Sequence, residues 1–307
     1  MKPFFSIVIP TYNQGNLLSK CLESVLFQSF RDFEIIVIDN NSTDTTNKII
    51  KKFKKKIIYK KIRNKGVIAK SRNLGIRIAK GKWIAFLDSD DIWKKKKLEF
   101  IHGKIKNNFF DVICNAEWYL KNNKKKLNLS GPLEKNFYEN LITIGNRLST
   151  SASVVKREFI EKKKILFNEN KNFVTCEDYC FFLDIAREKG RFYFLKKALG
   201  YHQFHNQSLS SNLLKHFKAE KEVIKYHIFK LQNFTKNKKK LWRDSLQYRI
   251  LKNVMISFFK NSKNVKSIIN LLKIVTKNPV KFIKLFKFLF IKKINQFYYT
   301  FIESMGM

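Results

Sequence analysis

The sequence predicts an α/β protein whose mainly parallel sheet is flanked by helices. Short apolar segments rich in β-branched residues alternate with segments whose apolar residues recur every three or four positions, as on one face of a helix. The connections between them are short, which is typical of a wound parallel sheet. Polar clusters follow three of the predicted strands, at the edge where such sheets bind their ligands.

The first ninety residues show this alternation most clearly. Strands are predicted at 4–9, where Pro10 ends the first, and at 33–38, 57–62 and 83–87. Helices are predicted at 15–28 and 67–79, with another after the polar cluster 39–44. Gly81 is expected to cap the helix that ends at residue 79.

Beyond residue 94 the periodicity is weaker. We expect a helix at 94–106, a strand at 111–120, a polar hairpin at 122–126, a strand at 151–156, a helix at 176–189 and one or two strands at 191–204. From 211 onward the pattern is helical, and 22 Lys and Arg stand against four acids. We therefore divide the chain into a sheet domain at 1–210 and a basic, Phe-rich helical extension at 211–307.

Length and composition suit a folded intracellular protein. The chain has 307 residues, of which 44% are hydrophobic, enough for a sizeable core. The apolar segment after Met1 is too short for a signal peptide, and no run of about 18 apolar residues predicts a membrane span. The four cysteines lack zinc-site or disulfide-scaffold spacing, so we expect reduced, buried thiols in a cytoplasmic protein.

The charge is strongly unbalanced, with 63 Lys and Arg against 24 Asp and Glu and a formal net charge of +39. Such an excess attracts polyanions, whether nucleic acid, anionic lipid or a phosphorylated substrate. The chain is also rich in Lys, Asn, Ile and Phe, as AT-biased genomes produce, so charge alone does not identify the partner.

Asp88-Ser89-Asp90 lies just past a predicted buried strand. Two carboxylates separated by one residue can lean toward one ligand, and Mg²⁺ or Mn²⁺ takes oxygen ligands that it shares with substrate phosphates. An acidic turn or a helix N-cap has the same pattern, so the spacing permits a metal site without requiring one.

Asp39 follows a second strand, where a carboxylate can accept a hydrogen bond from a base N–H or a ribose hydroxyl. Alternatively, Asn40, Asn41 and Ser42 simply cap the next helix. Tyr12 can stack on a base or pack on the sheet edge. Neither a Gly-x-Gly-x-x-Gly motif nor a P-loop motif is present, which argues against the phosphate loops of dinucleotide-binding proteins and P-loop NTPases.

Glu177 and Asp178 open a late helix. A partly desolvated carboxylate can take the proton of an attacking hydroxyl, although acids also favour helix N-termini electrostatically. His202 and His205 lie three apart in a predicted strand and therefore on opposite faces, so at most one points at a site. His205 is the candidate metal ligand or phosphate contact, against the commoner role of a satisfied polar residue.

In their order, these segments resemble the family 2 glycosyltransferases of the GT-A fold, of the type that builds bacterial cell-surface glycans. The resemblance runs from Ile7 to about Ser211. It rests on seven segments: Pro10-Thr11-Tyr12-Asn13, 23–30, 34–44, Lys70-Ser71-Arg72-Asn73-Leu74-Gly75, 86–91, Cys176-Glu177-Asp178-Tyr179 and His205-x-x-Ser208-x-Ser210. Each is weak alone, but seven in the right order are highly specific.

The resemblance implies that residues 1–210 are a catalytic domain. It would transfer a sugar from a nucleotide-diphosphate donor, with a UDP-sugar favoured, to an acceptor hydroxyl, inverting the anomeric centre. Thr11, Tyr12 and Asp39 would hold the nucleotide, and Asp88 would contact its ribose. The acceptor would be a saccharide or a lipid-linked glycan.

The resemblance also assigns the remaining polar residues. Asp90, with His205, would bind Mn²⁺ or Mg²⁺ as a cofactor. Asp178 would be the catalytic base, and Glu177 would lie on the acceptor side. Two segments depart from the family pattern: Gln203 stands where relatives often have Arg, and Ile165-Leu166-Phe167 replaces an apolar–Gly pair.

The extension carries an amphipathic pattern at 282–294. One helical face gathers Phe282, Ile283, Phe286, Leu289, Phe290 and Ile294, and the other gathers Lys277, Lys281, Lys284 and Lys287. This pattern suits an interfacial helix on an anionic inner leaflet, which would make the protein peripheral on the cytoplasmic face of the membrane. A helix packed on the catalytic domain is the alternative, since amphipathicity alone does not separate the two.

Two other function classes stay open on the sequence. A basic nucleic-acid-binding module would explain the charge, but the acids cluster where the ligand should lie and no recognisable nucleic-acid motif is present. A nucleotidyltransferase also uses paired acids and a metal on an α/β sheet. It would want a Gly- and Lys/Arg-rich loop near the first strand, for which Tyr12-Asn13-Gln14-Gly15 is a poor substitute.

Overall fold

The computed structural model describes residues 2–106, 109–121, 124–204, 212–231, 237–260 and 279–304. The chain forms two compact units. The first comprises Met1–Leu133 and Arg147–Val223, and the second comprises Glu134–Asn146 and Ile224–Met307. The sequence-based division at residue 210 stays a prediction.

Four parallel strands form the first half of the sheet in the first unit. They are β1 (Phe5–Thr11), β2 (Phe33–Asp39), β3 (Ile58–Lys61) and β4 (Trp83–Phe86), in the spatial order β3-β2-β1-β4. Between them run α1 (Gly15–Leu26), α2 (Thr46–Phe53) and α3 (Ile68–Ile78). Since parallel strands end at the same edge, this half collects the residues that follow β1, β2 and β4.

The second half of the sheet mixes strand directions. Its strands, in chain order, are β5 (Ile92–Trp93), β6 (Val112–Lys121), β7 (Lys124–Asn128), β8 (Ser153–Lys156) and β9 (Phe192–Gln203), and its helices are α4 (Lys97–Lys106), α6 (Arg157–Lys162) and α7 (Glu177–Arg187). The helix α5 (Phe137–Ile144) comes between β7 and β8 in the chain and belongs to the second unit. β8 lies antiparallel between β4 and β6, and β9 is parallel to β6. β5 pairs with β9 and β7 pairs with β6, both in antiparallel direction. The predicted α/β fold with a flanked sheet is confirmed.

A core cluster lies between the sheet and the helices α1, α2 and α4. Every residue of β1 is buried, and Phe5, Ile7 and Ile9 pack with Leu18, Leu22 and Val25 of α1 in this cluster. Each such side chain contributes about 1.5–3 kcal/mol when fully buried. The four cysteines are all free and buried, as predicted.

Pro10 does not end the first strand, which continues to Thr11. β4 pairs with β1 only as far as Val8, and beyond that point β1 has a neighbour only in β2. A proline is tolerated on such an edge, because no neighbouring strand needs its missing N–H.

Gly81 is not the cap of the helix before it, as the sequence suggested. Ala79 holds the C-cap position of α3. A Cβ on Gly81 would lie 2.5 Å from the backbone nitrogen of Ser6, so this glycine permits a close approach of two backbones.

Beyond β9 the described residues lie mainly in helices, as the predicted fold with a helical extension requires. It contains α8 (Leu213–Tyr226), a π-helical turn (His227–Leu231), α9 (Lys238–Lys260) and α10 (Pro279–Ser304). In the second unit, Nη1 of Arg249 on α9 donates to the carbonyls of Ile142 and Thr143 at 3.0 and 3.1 Å, which fixes α9 to α5. Among the described helices, none is both long enough and apolar enough to span a lipid bilayer.

Two helical glycines give a matched test of the sheet packing. A Cβ on Gly75 of α3 would lie 2.3 Å from Cγ1 of Val8, whereas a Cβ on Gly103 of α4 would meet nothing within 4 Å. We expect Gly75→Ala to lower the free energy of unfolding by about 1–3 kcal/mol through overpacking. Gly103→Ala should raise it by about 0.5–1 kcal/mol through helix propensity. Urea denaturation measures both, and shifts of the same sign would contradict this account.

Candidate active site

The ends of β1, β2 and β4 bring three polar segments to one edge of the sheet. Thr11 and Asp39 are register partners at the last positions of β1 and β2. The backbone N–H of Leu87 donates to the carbonyl of Val8 at 3.1 Å, which keeps the chain after β4 beside β1 until the acidic residues begin. The acidic loop, residues 88–91, therefore starts at the same edge as Thr11 and Asp39.

Asp39 is fully buried and accepts hydrogen bonds on both oxygens. Oδ1 accepts from the backbone N–H and the hydroxyl of Ser42 at 2.9 and 2.6 Å, and Oδ2 accepts from the hydroxyl of Tyr59 at 2.9 Å. Burial, followed by the contact with Asp39, raises the pKa of Tyr59 to about 12. The alternative that residues 40–42 cap the next helix is wrong, because α2 has Thr45 at its N-cap and Ser42 is engaged with Asp39.

Tyr12 projects into solvent, with 57% of the residue exposed, so it does not pack on the sheet edge. Next to it, Oγ1 of Thr11 is buried and has no hydrogen-bond partner among the residues that the structure describes. Asn13 adopts a left-handed conformation with φ 49° and accepts from the backbone N–H of Thr43 at 2.8 Å. The loop after β1 is thus tied to the loop after β2, and an exposed ring stands beside them.

The acidic loop is held by its own backbone and by a serine from far along the chain. The N–H of Asp91 donates to the carbonyl of Asp88 at 3.0 Å, which closes a turn. The N–H of Asp88 donates to Oγ of Ser151 at 3.0 Å. The carbonyl of Ser151 also accepts from Nε1 of Trp93 at 2.9 Å and from Nζ of Lys97 at 2.6 Å.

A buried guanidinium joins the acidic loop to the late acidic pair. Arg72 of α3 is 3% exposed and forms ion pairs of 2.7 Å with Asp88 through Nη2 and with Glu177 through Nη1. Burial lowers the pKa of Arg72, but the charges of both acids outweigh that effect and raise it. The Arg72 side chain therefore carries a fixed positive charge between two carboxylates that lie 89 residues apart in the chain.

Phe167 supports this guanidinium from one side. The Arg72 guanidinium carbon lies 5.3 Å from the centre of the Phe167 ring, a cation–π contact, and that ring stacks on Phe181 at 4.1 Å. Both backbone polar groups of Phe167 are bonded to the side-chain amide of Asn73 at 2.8 Å. The departure from the family pattern at 165–167 thus supplies a ring that packs against Arg72.

Glu177 and Asp178 differ in what surrounds them. The second oxygen of Glu177 accepts from the backbone N–H of Thr175 at 2.9 Å, so both of its oxygens are bound. Burial raises the pKa of Asp178 to about 7, and the charge of Glu177 adds to this, while Arg72 opposes it. Asp178 is therefore a carboxyl group that exchanges a proton near neutral pH, as a general base requires.

Behind the acidic loop lies an ionic cluster of the buried residues Asp91, Lys97 and Glu117 and the half-buried His202. Nδ1 of His202 lies 3.1 Å from Oδ2 of Asp91. Burial lowers the pKa of His202, but Asp91 outweighs that effect and raises it to about 10. Burial also lowers the pKa of Lys97 to about 8 and raises that of Glu117 to about 7. Two acids face two bases, and Asp91 ties the loop to β9 through His202 and through the backbone N–H of Gln203 at 3.1 Å.

Of the histidine pair, His202 serves this cluster, and His205 lies outside the described residues. Sequence reasoning missed Arg72, Asp91, Tyr59 and Ser151. Arg72 stood inside the segment 70–75 that carried the family resemblance, but a lone Arg in a helix gave no sign of its two partners.

The donor set of the acidic loop fits a hard divalent cation. Asp88 and Asp90 offer carboxylate oxygens, the ligands that Mg²⁺ and Mn²⁺ favour. Oδ1 of Asp88 is bound to Arg72, so Asp88 would contact a metal ion or a substrate through Oδ2. Asp90 is half-buried at the same edge. The residue types of the loop are therefore compatible with such a cation.

The sheet order and the site at its edge define the GT-A fold. Residues 6–183, more than half of the chain, match the family model described as Glycosyl transferase family 2. The chain belongs to the family 2 glycosyltransferases. This membership confirms the resemblance that the ordered motifs indicated, and it favours glycosyl transfer over the two rival function classes.

Three similar proteins illustrate the family and the fold. Poly(ribitol-phosphate) β-N-acetylglucosaminyltransferase TarP of Staphylococcus aureus is 31% identical over 217 residues, which are 68% of this chain and 65% of TarP. S. aureus TarS 1-349 in complex with UDP-GlcNAc superposes with a TM-score of 0.61 at 20% identity, covering 88% of this chain and 79% of TarS 1-349. Mannosyltransferase PcManGT from Pyrobaculum calidifontis, in complex with GDP-Man and Mn²⁺, gives 0.52 at 14% identity, covering 96% of this chain and 85% of PcManGT.

The likeness to the two solved structures concerns the fold. The match covers 38%, 30% and 65% of the lengths of three of the curated relatives. The substrates of those longer proteins therefore do not pass to this chain by similarity alone.

Two arginines on α3 provide a matched test of the bridge. Arg72→Gln leaves Asp88 and Glu177 without their buried partner, and we expect a loss of about 3–5 kcal/mol in the free energy of unfolding. Arg77→Gln removes only the exposed contact of 3.8 Å with Glu169 and should cost less than about 1 kcal/mol. Urea denaturation compares them, and Arg72→Lys, which keeps the charge, should lie between. Equal losses for Arg72→Gln and Arg77→Gln would refute the bridge as a stabilising element.

Proposed function

We propose that this protein transfers a sugar, with inversion, from a nucleotide-diphosphate donor to an acceptor hydroxyl. The observation that carries the proposal is the linkage of Asp88 to Glu177, beside Asp178, through one buried arginine. It joins the loop that would hold the donor to the helix that would hold the base.

The donor would lie over the carboxyl ends of β1, β2 and β4. The exposed ring of Tyr12 is free of the sheet and offers a surface for a base to stack on. Thr11, Asp39 and Asp88 would complete the nucleotide contacts. We favour a UDP-sugar, and the fold likeness to TarS, which was solved with UDP-GlcNAc, supports that choice.

Asp90 would hold a Mn²⁺ or Mg²⁺ ion, with His205 as a further ligand. When bound, such an ion neutralises the charge that develops on the departing diphosphate. Asp88 would help to orient the ribose through the oxygen that Arg72 does not use. The fold likeness to PcManGT, which was solved with GDP-Man and Mn²⁺, supports the ion.

Asp178 would remove the proton from the acceptor hydroxyl as that oxygen attacks the anomeric carbon. Its raised pKa makes the carboxylate basic enough to accept the proton and still largely ionised above neutral pH. Glu177, held by Arg72 and Thr175, would shape the acceptor side. The attack from the face opposite the leaving group would invert the configuration.

The acceptor would be a saccharide or a lipid-linked glycan of the cell surface. The relative TarP is named for poly(ribitol-phosphate), a polymer whose ribitol units carry hydroxyl groups, and its match covers 68% of this chain. We propose that the transfer takes place in the cytoplasm, on the inner face of the membrane.

A thermal-shift screen tests the donor and the ion together. With UDP-, GDP- and CMP-sugars in the presence of Mn²⁺, we expect a UDP-sugar to raise Tm most. A ligand at a hundred times its Kd stabilises the folded state by about 2.7 kcal/mol, so at equal concentration the donor that binds most tightly gives the largest rise in Tm. Asp90→Ala should lose the Mn²⁺-dependent part of the shift. Asp32→Ala, an exposed acid at the opposite end of β2, should keep it. A full Mn²⁺ response in Asp90→Ala would overturn the metal assignment.

The pH profile of transfer tests the base. Below pH 7 Asp178 is protonated and cannot accept a proton, so kcat/KM should rise about tenfold per pH unit and level off above a pKa of about 7. Asp178→Asn should lower transfer by a factor of ~10² or more while the donor thermal shift stays unchanged. Asp184→Asn on the same helix, whose carboxyl has a pKa raised to about 6 by burial, should leave the profile in place. Wild-type transfer by Asp178→Asn would exclude the assignment.

A further inference from the structure

The helix α10 presents an apolar stripe to solvent along its length. Its exposed members recur at helical spacing: Val280, Ile283, Phe286, Phe290, Ile291, Ile294, Phe297 and Tyr298. Ile283 is 63% exposed, Phe290 54% and Phe297 79%, although such side chains are usually buried. A contiguous exposed stripe of this kind marks an interaction surface rather than scattered surface residues.

The opposite side of α10 already has neighbours within the second unit. α10 packs on α9, and the half-buried residues Asn295, Gln296 and Tyr299 lie away from the stripe on the helical wheel. Along one edge of the stripe, the half-buried ring of Phe282 stacks on Phe286, which stacks on Phe290, at ring distances of 5.7 and 5.9 Å. The helix is thus supported from one side and apolar on the other.

The charge around the stripe has one sign. Between residues 245 and 302 the sequence has 12 Lys and Arg and neither Asp nor Glu. Lys287 lies within the arc of the stripe, Lys293 lies at its edge, and both side chains are exposed. Long lysine side chains can rest their methylenes on an apolar surface while the ammonium groups reach outward to anions.

We propose that the stripe on α10 binds an anionic lipid surface, with the helix lying in the membrane plane. A second copy of the chain would bring two sets of lysines together across the stripe, whereas a surface of acidic headgroups attracts them. The apolar residues would enter the boundary between headgroups and acyl chains, and the lysines would contact the acidic headgroups. This binding goes beyond the transfer reaction and does not depend on it.

Vesicle flotation of the full chain tests the proposal without donor or acceptor. Binding is expected to vesicles of phosphatidylcholine mixed with phosphatidylglycerol and to be much weaker to phosphatidylcholine alone, and salt should weaken it. The triple variant Ile283→Ser, Phe290→Ser, Phe297→Ser should lose tenfold or more in binding, on the order expected for the apolar area removed. Lys287→Gln and Lys293→Gln should each weaken binding about fivefold.

Matched controls separate the stripe from the general charge. Phe27→Ser with Phe109→Ser removes two exposed rings from the first unit, and Lys54→Gln with Lys55→Gln removes two exposed lysines there. Both pairs should bind vesicles as the unaltered chain does, and circular dichroism should show that every variant is folded. Equal losses in the controls, or no binding to anionic vesicles by the unaltered chain, would overturn the proposal. Self-association that the triple variant abolishes, with no vesicle binding, would instead make a second copy the occupant.

Discussion

The site depends on one buried charged side chain, the guanidinium of Arg72. Arg72 has almost no contact with water, and burying a guanidinium is tolerable only because two carboxylates meet it at 2.7 Å and a ring packs on its face. Those carboxylates belong to the loop after β4 and to the first turn of α7. Since neither acid can move away without leaving a charge unpaired, the guanidinium fixes the separation between the loop and the helix that carries Asp178.

Much of this arrangement could be predicted from local patterns. The alternation of strand and helix periodicity located the first four strands to within two residues, because buried strands and amphipathic helices have different repeats. The clusters after β1, β2 and β4 share an edge because parallel strands end together. The seven ordered motifs then named the family that the match over residues 6–183 confirms.

What escaped prediction involves partners far apart in the chain. Arg72 meets an acid 16 residues away and another 105 residues away, and no periodicity links such positions. Asp91 looked like one more member of an acidic run, yet it pairs with His202 inside the protein. The prediction that Gly81 caps α3 is wrong for a related reason. The backbone that lies against Gly81 belongs to β1, which is far from α3 in the sequence.

Ser151 gives this topology a consequence for the order of folding. It is the residue to which the Asp88 amide, the Trp93 indole and the Lys97 ammonium all donate, and it lies two residues before β8, the antiparallel strand beside β4. A chain emerging from the ribosome can pair β1 with β2 and β4 while the acidic loop still lacks this anchor. The acidic loop can acquire this anchor only after some sixty further residues have been synthesised, so the four parallel strands can pair before the loop is anchored.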